Sequence, residues 1–219
     1  MPNESLNDKV YQKIKTDIMH LILEPGVAVS VQKLADAYGS SRTPVREAVV
    51  RLQQEGLVII YPQARTIVSP INTNRIYEEC FIRKSLELAM VESFIKNCST
   101  FIIDTLGSMN SIMHRAVERL SIAEFLATDN RFHRLLFETA GQYLACDFIE
   151  SSNTHYDRLR YLSIKHRGFD SDDLAEHRAI VDAAGRRDGG NMREALAGHL
   201  REGKYQIREL QKAYPAYIM

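Results

Sequence analysis

Two groups of residues in this sequence are of types and spacings that could do chemistry. The first is one carboxylate and three imidazoles. Asp129 and His133 are four residues apart, which on a helix puts both on one face. His177 stands eleven residues before Asp188 and His199 eleven after it, and Asp188-Gly189-Gly190 is a turn signal. At a rise of ~1.5 Å per residue both lie ~16 Å from that turn, hence at matching height on two antiparallel helices. A third helix facing them would bring the four side chains together, a set that suits Zn2+ and also Ni2+ or Mn2+. Spacing alone does not decide between such a centre and four ordinary core or surface side chains. The other histidines, His20, His114, His155 and His166, read as helix-surface or capping residues.

The second group is Arg42, Thr43 and Arg46, at the opening of a predicted helix. Arginine in a major groove can pair bidentately with guanine O6 and N7. The helix N-terminus adds free N–H groups and partial positive charge for phosphate. Arg51, further along, reads as a surface or phosphate contact. Arg46 on its own fits equally well an ion pair on a solvated helix face.

The elements that must position these groups follow from periodicity. Val10, Ile14, Ile18, Leu21 and Ile22 recur at helical spacing over about 8–22, and Pro25-Gly26 stops the run. A second helix over about 31–37 has Ser30 as N-cap and Gly39 as its stop. A third runs over about 44–55, with Thr43 as cap, Pro44 in the first turn and the apolar stripe Val45, Ala48, Val49 and Leu52. Two short β-branched runs, 57–61 and 66–69, flank Pro62-Gln63-Ala64-Arg65 and predict a hairpin. After Pro70 everything reads as helix, with breaks near 97–99, at Gly107 or 120–121, and near 141–142, 167–169 and 188–190. The expected fold is mainly α: a winged helix-turn-helix with a small β-hairpin wing over 1–71, then an all-α antiparallel bundle of six or seven helices over 72–219.

Composition allows this and excludes other classes. The 219 residues suffice for two modest domains, and 45% apolar with 26% charged residues is an ordinary globular balance. The formal net charge of zero means that DNA contact must rest on a few placed arginines and not on a basic whole. Cys80, Cys98 and Cys146 are odd in number and without a CxxC pattern, as expected of buried or half-buried thiols in a reducing compartment. No apolar run approaches a membrane span, and Met1-Pro2-Asn3-Glu4-Ser5 does not open a leader pattern, so the cytoplasm is the expected location.

The string Ser41-Arg42-Thr43-Pro44-Val45-Arg46-Glu47-Ala48, with Arg51-Leu52 and Glu55-Gly56-Leu57, resembles the GntR family of bacterial transcription regulators, and Pro62-Gln63 to Val68-Ser69-Pro70 resembles that family's wing. The resemblance implies a homodimer on a short palindrome of double-stranded DNA. It places Ser41, Arg42, Thr43 and Arg46 at base or phosphate contacts and Gln63 with its neighbours at minor-groove contacts. The wing departs from the family in having Ala64-Arg65 where Arg-Gly is usual. Arg65 would be strained in a glycine conformation, or would supply the contact from a shifted position.

Asp129-x-x-Phe132-His133, Glu176-His177-Arg178 and Gly198-His199-Leu200 resemble the effector domain (FCD) of the subfamily typified by the fatty-acid-responsive regulator, FadR. That resemblance implies a divalent metal, Zn2+ first, held by Asp129, His133, His177 and His199, and an effector-binding role for Arg83 toward a small carboxylic acid. Arg83 could instead only pair with Glu87 one turn on. Gln142 stands where the family commonly has Asn, a difference expected to affect the helix ending.

Three functions remain open at this stage: a metal-containing, acid-sensing regulator; the same regulator without metal, sensing an apolar or acyl ligand; and a zinc hydrolase, against which the lack of HExxH counts. If α-helical arginine reads a base, Arg46→Ala is expected to cost roughly 1–3 kcal/mol of specific binding and to relax one operator position. An equal loss on all duplexes tested would reduce Arg46 to a phosphate contact.

Overall fold

The structure, a computed structural model, describes residues 5–201 and 207–219 apart from the side chains of Leu6 and Ser171. The leader reading of Met1–Glu4 and the helical expectation across 202–206 fall outside the described residues.

Three helices and a three-stranded sheet form the N-terminal head. α1 spans Leu6–Met19, α2 Val31–Tyr38 and α3 Arg42–Gln54. Ser5 caps α1 by accepting from the Asp8 N–H, and Ser30 caps α2 by accepting from the Lys33 N–H. Gly39 ends α2 at φ 62°, a left-handed conformation that suits glycine in the tight turn before α3. The N-cap of α3 is Ser41, and not Thr43, because the helix starts two residues earlier than its proline suggested. Pro44 is thereby carried into the first turn, where its missing N–H costs nothing. The predicted stripe of α3 is buried throughout, against Val10, Ile14 and Ile18 of α1 and Leu34 of α2.

The wing consists of β2 (Val58–Tyr61) and β3 (Arg65–Val68), antiparallel with Tyr61 opposite Arg65. A two-residue strand, β1 (Ala28–Val29), pairs on the other edge of β3, in the order β1-β3-β2. It is too short to show any alternation in the sequence. The strain expected at Arg65 falls elsewhere: Gln63 takes the left-handed conformation, φ 56°, and Arg65 is an ordinary strand residue with its guanidinium 5.3 Å over the Tyr61 ring.

The second half is helical. α4 (Thr73–Asn97), α5 (Thr100–Glu118), α6 (Ile122–Thr139), α7 (Tyr143–Ser152), α8 (Thr154–Arg167), α9 (Ser171–Gly185) and α10 (Gly189–His199) make the bundle, and short α11 (Ile207–Ala213) follows. Gly107 lies inside α5, and the chain turns at Leu120-Ser121 instead. Asn153 divides α7 from α8, a break without a glycine or proline to announce it. The core holds Phe94, Leu106, Met113, Phe132, Leu136 and Leu196, all fully buried.

α4 runs the length of the bundle and meets α6, α7, α8 and α10. Its inward stripe is Ile76, Glu79, Arg83, Glu87, Met90 and Phe94. Three consecutive charged positions inside an otherwise apolar stripe are costly unless paired, and they mark where the bundle departs from a plain core. A third, smaller core joins head to bundle through Leu21, Ile71, Ile76, Leu159, Leu162 and Ile218.

Candidate metal centre and nucleic-acid interface

The structure brings together the four residues singled out by spacing. α6 supplies Asp129 and His133, α9 His177 and α10 His199; all are buried, and one ligand atom from each lies within 4.8 Å of the others. The matching-height argument holds, since α9 and α10 pack as an antiparallel pair and the His177 and His199 rings approach to 4.4 Å between centroids. Phe132, between the two α6 ligands in sequence, packs edge-on against His133 and His177 and forms an apolar wall.

Each imidazole is fixed by a partner that can only accept. His133 Nδ1 donates to Glu87 Oε2 at 2.6 Å, His177 Nδ1 to the Asp173 carbonyl at 2.7 Å, and His199 Nδ1 to Glu176 Oε2 at 3.1 Å. A neutral ring whose Nδ1 carries the proton has a lone pair at Nε2. All three Nε2 atoms then face the same point. His133 Nε2 and His199 Nε2 are 3.2 Å apart, and His177 Nε2 is 3.1 Å from Asp129 Oδ1 while making no hydrogen bond.

Asp129 is ionised. Burial pushes its carboxyl up, but the Arg160 guanidinium draws it well below the usual carboxylate range. Arg160 grips Oδ2 and Arg83 Nη2 stands 3.8 Å from the same oxygen, which leaves Oδ1 turned toward the imidazoles.

Lone pairs facing one another and a carboxylate oxygen repel, and buried polar atoms without partners cost about 1–3 kcal/mol each. A cation at the centre reverses the sign of every one of these contacts. Two ligands at ~2.05 Å from one tetrahedral ion lie ~3.3 Å apart, close to the 3.2 and 3.1 Å separations, while His133 Nε2 and Asp129 Oδ1, at 4.0 Å, would draw together. The donor set and its outward hydrogen bonds therefore fit a divalent ion.

Glu87, Glu176 and Arg160, which orient the ligands, were not legible as such in the sequence. Glu176 adjoins His177, and Glu87 is the residue proposed as a mere intrahelical partner of Arg83. Arg83 does bond Glu87, Nε to Oε1 at 2.8 Å, but as a buried pair. It also lines a small cavity with Glu87, Asn130, His133, Asn153 and Asp157. Arg83 thus pairs with Glu87 and also borders a cavity. The cavity holds about 30 Å³, room for about one water, so an organic acid enters only if a wall moves. A far larger open cleft of about 800 Å³ between α5 and α9 touches none of the four residues and has no comparable convergence of donors.

In the head, Ser41, Arg42, Thr43 and Arg46 are exposed at the N-terminal end of α3, with Arg42 and Arg46 one turn apart on one face. Among the described residues neither arginine forms an ion pair, so the solvated-pair alternative for Arg46 is not met. Gln63 and Arg65 are exposed on the wing. Arg51 differs: it bonds Asp8 at 2.8 Å and stacks 3.8 Å over Tyr11, clamping α3 to α1. His155, read as a surface or capping residue, is buried at the joint between head and bundle.

Comparison with known proteins finds two family models that match the chain. Residues 6–68 match the model of bacterial regulatory proteins of the gntR family, and residues 79–202 match the FCD domain. The chain is 30% identical over 214 residues to the HTH-type transcriptional repressor RspR of Escherichia coli, covering 96% of this chain and 92% of that one. An HTH-type transcriptional regulator of Streptomyces ambofaciens is 30% identical over 192 residues, 88% and 80% of the two chains. In fold, the chain is similar to E. coli McbR/YncC, with a TM-score of 0.78 over 96% of this chain and 99% of that one at 21% identity.

Removal of one ligand tests the centre. His177→Ala is expected to lower metal content per chain and to abolish the rise in melting temperature on adding Zn2+. Unchanged metal content would remove His177 from the ligand set.

Proposed function

The chain belongs to the GntR family of bacterial regulatory proteins and is a DNA-binding transcriptional regulator with an FCD domain, and we propose that this helical domain holds a divalent metal and senses a small carboxylic acid. The family and the relatives are regulators and not enzymes, which disposes of the hydrolase reading. The proposed division is a DNA-binding head over 1–71 and an effector-binding and dimerisation domain over 72–219. No helix among the described residues is long and apolar enough to cross a membrane, and the cytoplasm is the proposed location.

The observation that carries the metal is the convergence of three Nε2 atoms and one carboxylate oxygen, each oriented from behind. Zn2+ suits this set, with Ni2+ or Mn2+ as the ions that more readily take additional ligands. Only an ion that takes more than these four ligands would leave a position open to an acid's carboxylate. Arg83, charged and already turned toward Asp129, supplies the fork that a carboxylate accepts bidentately. The cavity pairs the Arg83 guanidinium with an apolar wall of Phe137, Cys146 and Ile149, which suits a small acid with a short apolar body.

For the operator, Arg42, Thr43 and Arg46 on α3 enter the major groove, Ser41 and the helix N-terminus meet phosphate, and Gln63 and Arg65 approach the minor groove from the wing. Arg51 contributes by holding α3 against α1 and reaches phosphate only from its edge. The regulator acts as a homodimer on a palindrome. Support for pairing comes from α4 and α7, which pack together and expose Tyr77, Phe81, Leu144 and Phe148. Effector binding changes operator affinity by some factor, and by linkage the operator changes effector affinity by the same factor.

Two measurements on tag-free protein test this reading. Elemental analysis is expected to give close to one divalent ion per chain; less than ~0.3 per chain, with chelator loss controlled, removes the metal. A small acid that raises the melting temperature is expected to change affinity for a duplex selected from random sequence. Identical affinity with and without every acid that binds contradicts the sensing role.

A further inference from the structure

The structure contains one fully buried arginine that the centre does not use. Arg158 on α8 is 0% exposed, and among the described residues no carboxylate lies within ion-pair distance of it. Glu79 acts on it only from beyond ion-pair distance, and a buried charge so weakly countered is expensive unless neutral acceptors surround it. Here Nη1 donates to the Ser69 carbonyl at 2.6 Å, Nη2 to Ser69 Oγ at 3.2 Å and to His155 Nδ1 at 3.1 Å, and Nε to the Thr154 carbonyl at 3.1 Å.

Ser69 is the residue that follows wing strand β3, and it is tied to the end of the recognition element. Its Oγ donates to the Gly56 carbonyl at 2.6 Å and its N–H to the Leu57 carbonyl at 3.0 Å, in the turn that leaves α3. The same stretch of chain is held twice more from the bundle. The Asn72 N–H donates to His155 Nδ1 at 3.0 Å, and Ile71 exchanges backbone bonds with Tyr217 and Met219. His155 accepts two donors at one nitrogen and is therefore neutral there; burial first, and then the Arg158 charge, bring it down to about 3.

Two residues further along α8 stands Arg160. Positions two apart on a helix point ~200° apart around the axis, so the two guanidiniums leave α8 on opposite sides. Arg160 grips Asp129 Oδ2 and donates to Asn130 Oδ1 at 2.8 Å and to Asp157 Oδ1 at 3.2 Å. Asp157 is itself a wall of the small cavity. The N-terminus of α8 is anchored to α4, where Glu79 Oε2 accepts from the N–H groups of His155 and Tyr156.

We propose that α8 is the coupling element between the centre and the DNA-binding head, with Arg160 reading Asp129 on one side and Arg158 holding Ser69 at the root of the wing on the other. The inference rests on the metal reading above. A change of charge at Asp129 Oδ1 alters the hold of Arg160 on Oδ2. Enlargement of the cavity displaces Asp157 and with it α8. Either change reaches Ser69, and through Gly56 the end of α3, because Arg158 has no solvent into which to relax. Arg158 and Arg160 are positioning residues in this scheme and contact neither DNA nor effector.

Hydrogen exchange by mass spectrometry on the full chain tests it, with chelator-stripped protein and the same protein after one equivalent of Zn2+. The expected result is slower exchange around 129–133, 177 and 199, and a slowing of at least ~3-fold in 69–73, which does not touch the metal residues. In Arg158→Met the response at the centre persists and the response in 69–73 is lost. If Arg158→Met does not fold, Ser69→Ala, which keeps the carbonyl and removes one acceptor, is expected to shrink the response in 69–73 alone. A protected centre with no response in 69–73 of the unaltered protein, or a response in 69–73 that survives both substitutions in full, overturns the coupling role. No response at 129–133, 177 and 199 overturns the metal reading instead, and this inference with it.

Discussion

The bundle depends on an arrangement of lone pairs. Three imidazoles are buried side by side, each with its Nδ1 proton committed outward to an acceptor, so that their Nε2 atoms and Asp129 Oδ1 converge. With the rings neutral and Asp129 ionised, these four atoms repel. Everything around them serves to hold that geometry: Glu87 from α4, the last turn before His177 on α9, Glu176 behind His199, and Arg160 from α8 on the far oxygen of Asp129. Folding into a bundle would not by itself require any of this, since the same stripe positions filled by apolar residues would pack at no electrostatic cost. The charged stripe of α4 has the same meaning. Glu79, Arg83 and Glu87 interrupt a core-facing series because each is committed to a neighbour, Glu79 to the start of α8, Glu87 to His133, and Arg83 to Glu87 and the cavity.

The head is built on a different economy. Its helices are held by an ordinary apolar core, and its polar residues on α3 and the wing are left outside. The zero net charge of the chain is reconciled with DNA binding by that placement: Arg42 and Arg46 are not neutralised by acids of their own helix, whereas Arg51, pointing the other way, is spent on Asp8 and Tyr11. Head and bundle meet at a joint that is apolar around Ile71 and Leu159 but contains the Arg158 and His155 bonds to the connecting chain. Directional bonds at a joint fix an angle in a way that apolar contact does not.

Much of this was legible in the sequence, for identifiable reasons. The α3 stripe and the hairpin declare themselves by period, and the string from Ser41 to Ala48 carries a family resemblance. Asp129 and His133 share a face by helical geometry, and equal distances from Asp188 placed His177 and His199 at one level. What escaped was whatever depends on a second element. β1 has two residues and no period. The break at Asn153 has no helix-breaking residue. The outward partners of the histidines sit on α4 and α9, one of them a backbone carbonyl. Arg158 resembles any other helix arginine until Ser69 is packed against it. At Gln63 and Arg65 the sequence located an unusual turn correctly but put the strained conformation two residues too late, because register across the hairpin, Tyr61 against Arg65, decides which residue must turn.

The direction of the imidazole protons is the most immediate consequence of this account. Long-range nitrogen–proton correlation spectra of protein labelled with 15N at histidine report the tautomer of each ring. The account predicts neutral rings protonated at Nδ1 for His133, His177 and His199, with Nε2 shifted on addition of Zn2+. Protonation at Nε2 in these three residues, or spectra indifferent to the ion, would contradict it.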